Sequence, residues 1–280
     1  MNIHKSIDFK ITEHYGQSKL NQNLINAIGE MGKTLDNLKP DDLMYMDEFH
    51  ARGRLATAEL AQQAGLDKTK HVLDIGSGIG GPSRFMALNY GCKVTGIDLT
   101  KEYCDLAQLL ADKFGLGDRL QYLNCSALAM PFENESFDVV WTQHVAMNIP
   151  EKEKLYAAAV PCLKPGGIFV IYDILAGENQ PIHFPVPWSR TPETSFLATT
   201  GEMNTYLQQA GLKIKAWKDR TRETIDWLRA IKEESEKNGP PKLGIHLIFG
   251  EDWKAIMGNL VRNLIEERLV IAEFISQKKI

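Results

Sequence analysis

Two hydrophobic patterns alternate between His71 and Tyr172. Short apolar runs, the first ending at glycines, have the length and composition of buried parallel strands. They are Val72 to Ile75, Lys93 to Asp98, Leu120 to Leu123, Phe137 to Trp141 and Ile168 to Tyr172. Pro82 to Tyr90, Lys101 to Phe114 and Glu151 to Leu163 carry apolar residues at helical spacing. Lys164-Pro165-Gly166-Gly167 reads as a turn into the fifth strand. Strand and helix alternating through short connections predict an α/β, doubly wound parallel sheet.

The flanks differ. Residues 1–66 read as helical, with Leu24, Ile25 and Ile28 and then Leu55, Ala58, Leu60 and Ala61 in register until Gly65. Residues 176–200 hold Pro181, Pro185, Pro187 and Pro192 and cannot form regular structure. Beyond them the pattern predicts a helix ending near Gly211, a strand at Leu212–Trp217, helices from Glu223 and from Asp252 to Arg268, and a last strand at Leu269–Ile275. The expected organisation is a helical cap over residues 1–66 and a sheet domain over 67–280, with the proline-rich segment inserted after strand five as a lid.

The sharpest motif, Asp74-Ile75-Gly76-Ser77-Gly78-Ile79-Gly80-Gly81, joins the first strand to the first helix of that domain. Gly76, Gly78 and Gly81 satisfy the dinucleotide fingerprint, while Gly76, Gly78 and Gly80 satisfy a D-x-G-x-G-x-G pattern associated with S-adenosylmethionine. An NAD-dependent oxidoreductase is therefore the competing class. Asp74 would repel a pyrophosphate but suits a ligand bearing an ammonium and a sulfonium. No Lys or Arg lies in the loop to meet a phosphate, and Pro82 removes a donor at the helix start. Asp98, about 20 residues on, suits the ribose hydroxyls in either reading.

Composition narrows the partners. Of 280 residues, 44% are hydrophobic and 24% charged, which fits a globular chain with a sizeable core. With 32 basic and 36 acidic residues the net charge is −4, without the basic excess of a nucleic-acid binder. The four cysteines form no CxxC pair, and no metal-ligand cluster is visible. There is no signal-peptide pattern and no apolar run near ~18 residues. The expectation is a cytoplasmic protein acting on small molecules, with no nucleic acid, membrane span or metal; homo-oligomerisation stays open.

Asp74–Gly81, Gly96-Ile97-Asp98-Leu99, Met130-Pro131-Phe132 before Ser136–Val140, and Leu163–Gly167 occur in an order that resembles class I S-adenosylmethionine-dependent methyltransferases. Within that class the chain resembles the small-molecule branch of sarcosine/dimethylglycine and ubiquinone/menaquinone-type enzymes. The resemblance covers roughly residues 70–175. It implies a seven-stranded Rossmann-like sheet with the last strand antiparallel, and S-adenosyl-L-methionine as cofactor. It also implies that Asp74, Gly76, Ser77 and Gly78 line the methionine end, Asp98 holds the ribose, and Leu99 packs on the adenine. Ser126-Ala127-Leu128 matches a segment that usually begins with Asp, so Ser126 departs from the pattern. Tyr15 and Gln143 complete the expected cofactor contacts.

Methyl transfer needs alignment and exclusion of water more than acid–base chemistry. His144, just past the fourth strand, is the candidate base or acceptor-orienting group, with a structural histidine as the alternative. Arg52 or Arg54 suits an acceptor carboxylate, and His183 and Trp188 suit a lid over a small substrate. An amine of the sarcosine/dimethylglycine type is the first acceptor reading, and a phenol or quinol methylated on C or O is the second.

Overall fold

A computed structural model describes residues 3–16 and 20–280, with the backbone alone for residues 3–6. Seven strands, β1 (His71–Ile75), β2 (Lys93–Asp98), β3 (Leu120–Asn124), β4 (Phe137–Gln143), β5 (Leu163–Ala176), β6 (Leu212–Asp219) and β7 (Leu269–Lys278), form one sheet in the order β3-β2-β1-β4-β5-β7-β6. Neighbours from β3 to β5 run parallel, and β7 is antiparallel to both β5 and β6. The antiparallel β7, inserted between β5 and β6, separates this sheet from the dinucleotide-binding order in which strand six follows strand five.

Described helices are α1 (Ile3–Gly16), α2 (Leu20–Glu30), α3 (Gly53–Gln63), α4 (Gly81–Tyr90), α5 (Lys101–Lys113), α6 (Lys152–Cys162), α7 (Thr200–Gln209), α8 (Thr221–Asn238), α9 (His246–Phe249) and α10 (Trp253–Ile265). Alternate strand residues feed opposite faces, because successive side chains in a strand point to opposite sides. Val139, Trp141, Val170 and Tyr172 pack on one face with Leu60 of α3, Met86 of α4 and Leu264 of α10. Val140, Phe169 and Ile171 pack on the other with Leu155 and Tyr156 of α6 and Met203 of α7. A third cluster joins Leu24 and Ile28 of α2 to Leu106 and Leu110 of α5 and Phe249 of α9.

The N-terminal helices thus divide between two cores: α3 lies in the sheet's own layer, while α2 rests on α5. Ile25 and Leu55, counted as apolar stripe positions from the sequence, are each 51% exposed. The stripes run instead through Leu20, Leu24, Ala27 and Ile28, and through Ala56, Thr57, Leu60 and Ala61. Lys164–Gly167 is not a turn ahead of β5. The β4–β5 register jumps from Phe137↔Leu163 to Val139↔Ile168, so these residues bulge within the strand, with Gly166 at φ 74°. Lys164 Nζ on Asp138 Oδ1 at 2.9 Å ties the bulge to β4. The inserted segment contains only one isolated bridge, Val186↔Ser189, and a short 3-10 turn at Pro192–Thr194.

Candidate active site

The glycine loop turns at the carboxyl end of β1. Gly76 has φ 72°, and a Cβ there would stand 2.4 Å from Val145 Cγ2. At Gly81 a Cβ would stand 2.1 Å from the backbone oxygen of Asp47. At Gly76 and Gly81 the room for a side chain is thus taken by the chain's own β4–α6 connection and by the segment before α3. Gly76 and Ser77 both donate to the Ile97 carbonyl, at 2.8 and 2.9 Å, which fastens the loop to the end of β2.

Two carboxylates face the loop. Asp98 accepts from the backbone N–H groups of Gly78 (3.0 Å) and Thr100 (2.8 Å), which fix its orientation. Burial raises its pKa, and those donors oppose the rise. Asp74, 2% exposed, accepts from Ser83 Oγ at 2.6 Å. Burial pushes Asp74 up to about 7, Ser83 works against that, and the charge of Asp98 adds to it. A cation arriving beside Asp74 would reverse the shift.

At the end of β4 the backbone of His144 adopts φ 54° and its N–H donates to the Tyr172 carbonyl at 2.8 Å. This left-handed conformation turns the chain abruptly out of the strand, and an outlier of this kind at a cavity wall points to function. The imidazole stacks on Tyr172 (centroids 5.6 Å apart, 15° between planes) and meets His50 edge-on at 6.1 Å. Its Nε2 is buried without a hydrogen-bond partner. Burial, with His50 beside it, lowers the His144 pKa well below the ordinary value, so the ring is neutral at neutral pH. Gln143 accepts from Trp141 Nε1 (2.8 Å) and donates to Thr57 Oγ1 (3.4 Å).

The roof comes from α1 and the proline-rich segment. Tyr15 Oη donates to Asn148 Oδ1 at 3.1 Å, and Asn148 Nδ2 donates to the carbonyls of Trp188 (2.8 Å) and Thr194 (2.9 Å). Tyr103 Oη donates to the Tyr15 carbonyl at 3.0 Å, and His14 Nε2 lies 3.1 Å from the Pro187 carbonyl. Beneath this roof is about 1360 Å³ of empty space, partly continuous with solvent.

Asp74, Gly76, Ser77, Gly78, Asp98, Leu99, Ser126, Ala127, Leu128, Tyr15, Gln143, His144 and Trp188 all line that one cavity. The Ser126 hydroxyl accepts from the Leu128 N–H at 3.3 Å. Three expected substrate residues are not brought there. Arg52 forms a two-pronged pair with Glu59 (2.6 and 3.0 Å), and Arg54 is held by Glu48 (2.9 Å) and Asp41 (2.5 Å). His183 is held by Glu266 at 2.8 Å. Sequence reasoning missed Asp47, Phe49 and His50, which do line the cavity. They lie in the same Met46–Arg54 segment. The legible signal was that each arginine there has an acidic partner within seven residues, Glu48 and Glu59, leaving the remaining groups to face inward. Among the described residues that line the cavity none is a lysine or an arginine.

Residues 73–171 match the family model of a methyltransferase domain. A sterol 24-C-methyltransferase of Gibberella zeae is 36% identical over 116 residues, covering 41% of this chain and 30% of that protein. Erythromycin 3''-O-methyltransferase of Saccharopolyspora erythraea is 29% identical over 201 residues, 66% of each chain. The phosphoethanolamine N-methyltransferase 2 structure of Haemonchus contortus, in complex with S-adenosyl-L-methionine, superposes with a TM-score of 0.72 at 19% identity, covering 91% of this chain and 60% of that one. The chain spans about a third of the length of the sterol relatives it matches. Residues 73–171 thus carry a methyltransferase domain, and the strand order and glycine loop are those of the class I methyltransferase fold.

Proposed function

We propose that this chain transfers a methyl group from S-adenosylmethionine to a small, largely apolar acceptor whose hydroxyl or phenol faces His144. S-adenosylmethionine, when bound, supplies a methyl group already activated by its positive sulfur. The residues present fit it: a cavity with carboxylates at Asp74 and Asp98 and, among the described lining residues, no lysine or arginine suits a cationic donor and opposes a diphosphate. Asp74, Gly76, Ser77 and Gly78 would hold the methionine end, Asp98 the ribose, and Leu99 with Ser126, Ala127 and Leu128 the adenine.

The rest of the wall argues for the acceptor. Ile11, Phe49, Met147, Ile149, Pro187 and Trp188 make it apolar, while Arg52 and Arg54 are engaged by glutamates and do not reach it. An amino-acid acceptor would add a second carboxylate to the donor's own, with no lysine or arginine among the described lining residues to meet it. A hydroxyl acceptor would find the unpartnered ring nitrogen of a neutral His144, which can receive its hydrogen bond or its proton. This favours the phenol or alcohol reading over the sarcosine-type amine, and the erythromycin relative, named as an O-methyltransferase, supports it.

The observation that carries the proposal is the cavity with acidic strand ends and, among the described residues, no lysine or arginine in its lining. Calorimetry with S-adenosylhomocysteine and NAD, followed by labelled methyl donor with sarcosine, phenolic and macrocyclic alcohol panels, tests it. Binding of NAD in place of S-adenosylhomocysteine would overturn the donor reading, and methylation of sarcosine alone would overturn the acceptor reading.

A further inference from the structure

We propose that Asp47 is a second anionic contact for the ammonium group at the donor's methionine end, acting beside Asp74; this rests on the donor reading above. Asp47 lies in the irregular segment before α3 and is only 4% exposed. Its Oδ2 accepts from Arg84 Nη2 at 2.7 Å, while Arg84 Nη1 donates to the Ile79 carbonyl at 2.6 Å. Its Oδ1 is buried and has no hydrogen-bond partner.

The location is as specific as the vacancy in its bonding. A Cβ at Gly81 would stand 2.9 Å from Asp47 Cγ, so the carboxyl group lies over the exit of the glycine loop. Two residues further, Ser83 holds Asp74 Oδ2. Both carboxylates are near enough to Tyr122 to raise the pKa of its hydroxyl, and both line the cavity.

A buried carboxylate oxygen without a donor is costly, and native structures rarely leave one so. The donor's methionine end carries one cation with three N–H groups. Asp74 keeps one oxygen beyond its bond to Ser83, and Asp47 keeps Oδ1. Arg84 stands beside Asp47, and the ammonium would stand beside Asp74, so each of these two buried carboxylates would have a cation next to it.

The test is calorimetric, on wild type and Asp47→Asn, with three probes: S-adenosylhomocysteine, its desamino analogue, and 5′-methylthioadenosine, which lacks the amino-acid portion. The expected result is at least a tenfold loss for S-adenosylhomocysteine with less than a twofold change for the other two. Unchanged S-adenosylhomocysteine affinity, or an equal loss for all three probes, would overturn the assignment, the latter making Asp47 a prop for the loop. If Asp47→Asn does not fold, Asp47→Leu with Arg84→Met removes both buried charges together and must show the same ammonium-selective loss. Wild type binding neither S-adenosylhomocysteine nor 5′-methylthioadenosine would instead overturn the donor reading and this assignment with it.

Discussion

Tyr15 of α1 and Asn148 after β4 are joined by a hydrogen bond of 3.1 Å, and the same asparagine amide carries the carbonyls of Trp188 and Thr194. One buried side chain therefore holds both halves of the roof. Asn148→Ala should lower unfolding stability by about 2 kcal/mol, since it strands two carbonyls and a hydroxyl. Tyr15→Phe, which removes one bond, should cost about 1 kcal/mol. Thermal unfolding of the two variants checks the ranking, and equal stability would contradict it.

Asp74 gives a pH dependence whose direction is fixed by its pKa of about 7 in the unliganded protein. A carboxylate pushed above its ordinary value favours the folded state below that value, and the advantage is lost as pH rises from about 4 to about 7. Donor binding runs the other way. An ammonium favours the ionised form, so S-adenosylhomocysteine affinity should fall as pH drops below about 7 and be flat above it. Calorimetry between pH 5 and 8 reads this slope, and Asp74→Asn should flatten it while weakening binding throughout.

His144→Ala should reduce kcat by about 10²–10⁴ if the ring removes the acceptor proton. Affinity for S-adenosylhomocysteine should hardly change. A kcat within twofold of wild type would show that the residue serves only the turn out of β4. Because its pKa lies well below the ordinary histidine value, kcat should show no inflection from this group near pH 6.5.

Gly81→Ala should disrupt the cavity without touching a ligand directly. The added carbon would lie 2.1 Å from the Asp47 carbonyl oxygen, a backbone atom that cannot swing aside. The segment before α3 must shift, at a cost of about 1–3 kcal/mol. The expected outcome is a lower melting temperature and weaker S-adenosylhomocysteine binding together.

The strands, and the gathering of Asp74, Asp98 and the glycine loop at one cavity, were legible because each rests on a local signal. Asp74 and Asp98 end buried apolar runs, and Gly76 and Gly78 follow at fixed spacing. The two arginines mislead when their nearby acidic partners are not weighed, and the inward-facing groups beside them depend on how the segment packs. Arg52 and Arg54 look available in the sequence, yet Glu59 and Glu48 take them once α3 forms. Asp47 reads as one more solvated charge until α4 packs over it with Arg84. The β5 bulge is hidden for a related reason: Pro165-Gly166 marks a bend, but whether it precedes or interrupts a strand depends on Leu163 pairing with Phe137.

His183 shows what the proline-rich segment is. Its ring meets Glu266, and its backbone N–H and carbonyl are both bound by Asn263 of α10, at 2.8 and 2.9 Å. Farther along, Trp188 Nε1 donates to Ser195 Oγ at 2.9 Å, and the Trp188 carbonyl is held by Asn148. The stretch is thus moored at its root by Asn263 and again farther along by Ser195 and Asn148. Pro187 and Trp188 are therefore the places where the moored stretch gives the cavity its outer wall, and substitutions there would reshape it.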